Sequence, residues 1–201
     1  MKSFLTALLL ASLTALQAAD VADNRHAATQ APPRPDYLAF TQSYRVPFAN
    51  RQPVDFDKLQ TMLVRVSING GPVMLMQVDT GSTGVIAGGG DVPGIAPDAP
   101  AGSIHYSSSG VELKGVWTPG TLTFLDAKDA EGNPATALVP VLAVHERVVH
   151  EGAVNSGSFK STKNPKIYMF GVGSGRGKEP HQEKNPFLNL KEMQAARCGA
   201  G

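Results

Sequence analysis

A single cysteine, Cys198, is all the chain has, so no internal disulfide can form and the core must carry whatever fold is adopted. An excess of charge of one sign is missing too: 18 Lys and Arg against 17 Asp and Glu leave a net charge of +1 over 201 residues. Nucleic-acid binding needs a basic stripe that neutralises phosphates, and there is none. The one basic cluster, Arg176 through Lys184, is broken by Glu179 and Glu183 and reads as a solvated loop. No Asn-x-Ser/Thr glycosylation acceptor occurs. After the first 19 residues no apolar run is long enough for a bilayer, so no membrane span is expected. Strands do not alternate with helical patterns, which argues against a parallel α/β sheet.

What is present begins with a leader. Residues 1–19 open on Lys2, continue through an Ala/Leu-rich apolar run and end in small residues, the pattern of a secretory signal. No cysteine lies near its end to take a lipid, so a secreted or periplasmic destination is expected, and a disulfide-free chain fits a bacterial envelope. Residues 20–35, rich in Ala and Pro, lack apolar periodicity and read as a flexible leader. Residues 36–201 read as a single lobe of short strands and turns: an edge segment carrying Tyr37, Phe40, Tyr44, Phe48 and Phe56, surface loop 91–102, hairpin tip 127–134 and strand 136–144. Only residues 185–196, with Pro186 near the start, have helix-forming composition.

The most informative stretch is Asp79-Thr80-Gly81-Ser82-Thr83. Residues 61–69 alternate as a strand, Asn69-Gly70-Gly71 makes a hairpin turn, and Val73 to Val78 lead straight into Asp79. Val85-Ile86-Ala87 follows. A carboxylate in a tight turn at a strand end, over an apolar floor, is rigid and partly desolvated, which is what acid chemistry requires. Gly81 permits the turn, while Thr80 and Ser82 offer hydroxyls to orient neighbours or bond the carboxylate. The plain alternative is a turn aspartate that caps backbone amides.

Two downstream segments join this one. Ile104 to Gly110, with Gly115-Val116-Trp117 and the strand Thr121 to Phe124, form a candidate hairpin with Tyr106 and Ser107 near its tip; Lys166 to Gly173 forms an apolar strand ending in glycines. In these three landmarks, in this order, the chain resembles the pepsin-like aspartic proteases. The resemblance implies an all-β fold, a closed and mostly antiparallel barrel-like lobe with one short C-terminal helix, and aspartic endopeptidase activity on peptide or protein substrates without metal or cofactor. It implies that Asp79 is catalytic, that Thr80, Gly81 and Ser82 support it, that Tyr106 and Ser107 belong to a flap over the substrate, and that the last strand passes beside the catalytic loop.

The chemistry of that family uses two carboxylates sharing one proton, and this chain has one Asp-Thr-Gly. The second is expected from another lobe, the chain being a partial reading frame, or from a homodimer partner. Val85-Ile86-Ala87 stands where the family carries a tryptophan that bonds the flap tyrosine, and Trp117 reads as a core aromatic. The alternative function is a non-catalytic peptide- or protein-binding lobe of the envelope. Other motifs fail. His145 and His150 are five apart and not four, so neither a helix nor a strand brings them onto one metal. Glu179 follows Gly177-Lys178 where a phosphate loop needs Ser or Thr, Arg176 stands where a dinucleotide loop needs its last glycine, and Ser107-Ser108-Ser109 lacks a nucleophile-elbow context.

Overall fold

A computed structural model describes residues 44–49, 61–152, 158–173 and 182–191, all within one compact unit, Leu38–Gly201. The expected leader 1–19, linker 20–35, most of the edge segment with Tyr37, Phe40 and Phe56, most of the basic cluster and residues 192–196 of the predicted helix lie outside the described residues.

Eight strands follow in order: β1 Leu63–Ile68, β2 Met74–Asp79, β3 Thr83–Gly88, β4 Ala101–Tyr106, β5 Val111–Lys128, β6 Pro134–Val149, β7 Lys160–Lys163 and β8 Tyr168–Val172. Short 3-10 turns at Gly89–Asp91 and Gln182–Lys184 are added. The fold is therefore mostly β, as expected. The first hairpin forms as Asn69-Gly70 dictates: both take positive φ, 51° and 71°, and Gly71 N–H donates to the Ile68 carbonyl at 2.8 Å, the twist that right-handed strands prefer.

The strands make one mixed sheet in the order β4-β5-β1-β2-β8-β3-β6-β7, with β5 also pairing β6. One expectation is corrected here: the sheet is not a closed barrel. It is mostly antiparallel, as expected, with β2–β8 and β3–β6 parallel. The reason lies in the long strands, which change partner along their length. β5 pairs β4 through residues 111–116 and β1 through 122–124. β6 pairs β3 through 141–144 and β7 through 146–149. β4 and β7 thus end the sheet as edges. Over residues 185–190, the first part of the predicted helix 185–196, the chain makes turns and a bridge of Leu190 to Ala137 and is not helical, because Asn185 spends its side chain on the Val172 carbonyl and the Phe187 amide.

Two apolar clusters hold the sheet. The larger contains Val64, Val66 and Ile68 of β1, Met74 and Met76 of β2, and Phe124 and Phe170. The smaller contains Ile86, Leu113, Leu142 and Val144, with Tyr106, Trp117 and Met169 against it. β3 and β6 serve both: Val85 and Ala87 face one cluster and Ile86 the other, and Val141 and Ala143 oppose Leu142 and Val144 in the same way. Burial on both faces explains why these strands read as unbroken apolar runs while β1 alternates. Phe124, Phe170 and Phe187 meet at centroid distances of 5.5 to 6.3 Å, and burying each ring contributes about 1.5–3 kcal/mol.

Candidate functional site

β2 ends at Asp79 and β3 leaves at Thr83, but the two do not pair with each other: β8 lies between them. Gly171 of β8 is in register with Asp79 on one side and Gly84 on the other. The backbones approach so closely that a Cβ on Gly171 would stand 2.2 Å from the Ser82 carbonyl carbon, and only glycine fits. Gly173 fastens the loop, its N–H donating to the Ser82 carbonyl at 2.9 Å and its own carbonyl accepting from Thr83 Oγ1 at 3.0 Å. The strand 166–173 passes beside the Asp79 loop, as anticipated.

Within the turn, Asp79 Oδ1 accepts the Gly81 N–H at 2.7 Å. Asp79 is half-buried and Thr80 exposed. The Ser82 Oγ is buried and has no hydrogen-bond partner among the described residues, so the bond from Ser82 to Asp79 is not formed. Thr83, which the sequence did not single out, makes the side-chain bond that ties the turn to β8.

β4 and β5 form the predicted hairpin, closing on the pair Tyr106–Val111, with the tip held by Ser109 N–H donating to the Tyr106 carbonyl at 3.2 Å. Tyr106 reaches the Asp79 turn. Burial, first, and the negative charge of Asp79, second, push its phenol above its ordinary 10.0, and the nearby Ser82 hydroxyl offsets part of the rise. That approach falls outside hydrogen-bond geometry, and the phenol points at Met169 Sδ, 3.8 Å away. The partner of the tyrosine is thus a thioether on β8.

Between hairpin and turn lies a cavity of about 420 Å³. Gly81, Ser82, Tyr106 and Ser107 line it, so four of the six predicted site residues meet on one space; Asp79 and Thr80 are not part of its wall. Lys184, His105 and Trp117 also line it. Trp117 is only partly buried and is a wall residue as well as a packing one. Lys184 Nζ stands 4.9 Å from the centroid of its indole. Nothing along the chain signals Lys184, which is remote in sequence and sits in what reads as a solvated loop.

Among the described residues no group of three or more His, Cys, Asp or Glu is placed to hold a metal. His150 Nε2 lies 2.8 Å from Glu112 Oε2, and Glu146 is occupied by Ser161 and Lys163, so the His-Glu pairs serve local contacts. Away from the site, Lys166 Nζ donates to both Asp91 carboxylate oxygens at 2.9 and 2.7 Å, and Tyr168 donates to Oδ2. No described helix is long and apolar enough to cross a membrane. No protein-family model matches the chain, and no curated protein matches it.

Proposed function

We propose that this protein is an exported aspartic-type endopeptidase in which the chain supplies one catalytic carboxylate, Asp79. The observation that carries the reading is that one cavity joins the Asp79 turn to a separate hairpin: Gly81 and Ser82, next to a strand-end carboxylate capped by its own turn and flanked by β8, face Tyr106 and Ser107 across it. The second carboxylate comes from a two-fold-related copy or a second lobe. Held close, two such groups cannot both ionise and share one proton. The ionised one takes a proton from water as its oxygen attacks the peptide carbon, and the protonated one gives its proton to the carbonyl oxygen. Collapse of the tetrahedral adduct then breaks the C–N bond as the amine is protonated. Tyr106 and Ser107 cover the substrate, Gly81 shapes the turn, and Thr80 and Ser82 brace it, Ser82 through its backbone carbonyl. Export rests on the leader in the sequence.

A second reading, a peptide-binding lobe without catalysis, is favoured by one feature: Asp79 Oδ1 already caps the Gly81 amide, as a purely structural turn aspartate does. Asp79→Asn separates the two. In the catalytic reading, hydrolysis of an unstructured protein at roughly pH 3 to 5 rises with dimer content in the wild type and falls by orders of magnitude in the variant, with an unchanged thermal midpoint. Full activity in Asp79→Asn, or concentration-independent activity in a verified monomer, overturns it.

A further inference from the structure

The cavity beside Asp79 carries a charge that the described residues leave unanswered. Among the described residues its lining holds one permanent ion, Lys184, and neither aspartate nor glutamate. The ammonium rests over the Trp117 ring and, among the described residues, forms no ion pair. Its position is fixed from behind. Asn185, buried, ties the adjoining backbone to β8 by donating from Nδ2 to the Val172 carbonyl at 3.1 Å, and Asn189 Nδ2 donates to the Asn185 carbonyl at 2.8 Å. Gly84 packs under the lysine stem, where a Cβ would stand 3.6 Å from Lys184 Cβ. A flexible lysine normally loses much entropy when it binds; one whose backbone is tethered and whose head lies on an indole is partly ordered beforehand. Around it the wall offers the Ser103, Ser107 and Ser108 side chains and the His105 imidazole, all able to donate hydrogen bonds, on a half-apolar floor of Trp117 and Ile104.

The geometry points to a carboxylate-binding subsite centred on Lys184, which selects peptides bearing an acidic group beside the segment that lies over Asp79. A carboxylate is the complement of an ammonium flanked by hydroxyl donors, and a charge-assisted hydrogen bond is about twice as strong as a neutral one. The cavity of about 420 Å³ has room for a glutamate side chain or for the last residue of a chain with its terminal carboxylate. Specificity for a peptide rests on the reading of the cleft given above; the attraction for a carboxylate does not.

Trp117 is the sole tryptophan of the protein, so its fluorescence reports directly on the cavity. The full chain is titrated with three alanine pentapeptides: two blocked at both ends, one with a central glutamate and one with a central glutamine, and a third without glutamate, blocked only at its N-terminus so that its C-terminus is a free carboxylate. The glutamate or the free-carboxylate peptide, or both, bind about tenfold more tightly than the glutamine peptide, and which of the two does so identifies the source of the carboxylate. Lys184→Gln loses that preference and Lys184→Arg keeps it. Equal affinities for all three peptides, no binding of any, or undiminished preference in Lys184→Gln overturns the inference. Carboxylate-selective binding without hydrolysis in any preparation would end the catalytic reading alone, and hydrolysis lost in Asp79→Asn without any carboxylate preference would end this one alone.

Discussion

Adding one methyl group at Gly171 tests how the candidate site is held. A Cβ there meets the Ser82 carbonyl carbon at 2.2 Å, the Ser82 oxygen at 2.3 Å and the Thr83 nitrogen at 2.3 Å. All three are backbone atoms, so no rotamer change relieves the clash, and β8 must move from the turn by more than an ångström. The first losses are the bond from Gly173 N–H to the Ser82 carbonyl and the bond from Thr83 Oγ1 to the Gly173 carbonyl. Overpacking costs about 1–3 kcal/mol, and two hydrogen bonds at about 1 kcal/mol each bring the expected loss for Gly171→Ala to about 3–5 kcal/mol. That is a large part of the roughly 5–15 kcal/mol by which a domain is stable. Urea unfolding followed by circular dichroism should show the midpoint falling by about 2 M, taking a slope of about 2 kcal/mol per molar. Gly90→Ala is the control: nothing lies within 4 Å of its Cβ, and the change should stay within about 0.5 kcal/mol. A Gly171→Ala protein as stable as the control would refute the close contact of β8 with the Asp79 turn.

Two further outcomes concern charge. Hydrogen bonds from Lys166, chiefly, and from Tyr168 hold the Asp91 carboxyl below its ordinary 3.8. A carboxyl depressed on folding adds stability that is complete above its unfolded value and disappears as pH falls through its folded one. Asp91→Asn should therefore melt below the wild type near neutrality and converge with it in strong acid, and parallel melting curves from roughly pH 7 to 2 would contradict this. Tyr106 is raised by burial and then by Asp79, so Asp79→Asn should shift one of the four tyrosines of the chain to a lower titration point, though not back to 10.0, because burial remains. Ultraviolet phenolate titration of both proteins, with Tyr106→Phe to assign the group, reads the shift; identical curves would place Asp79 out of electrical reach.

Local chemistry made the strands and turns around the site legible. Asn69-Gly70 favours a tight turn with both residues at positive φ, which formed the β1–β2 hairpin and delivered the chain to Asp79. Alternation identified β1, and the run Ile104 to Gly110 the hairpin that carries Tyr106. Closure of the sheet was not legible, because it depends on where β5 and β6 exchange partners, and pairing between strands far apart in sequence leaves no mark on either strand's own pattern. Nor did composition reveal that Asn185 would turn the chain where helix formers follow, since its partner is the Val172 carbonyl. The sequence by itself determined the turn at Asp79 and the strands flanking it, for these follow from neighbours along the chain. Only the tertiary structure decided that β8 lies between β2 and β3, that Ser82 is left without a partner while Thr83 makes the bond, and that Lys184 rests on Trp117 in the cavity, for each depends on packing that brings distant segments within a few ångströms.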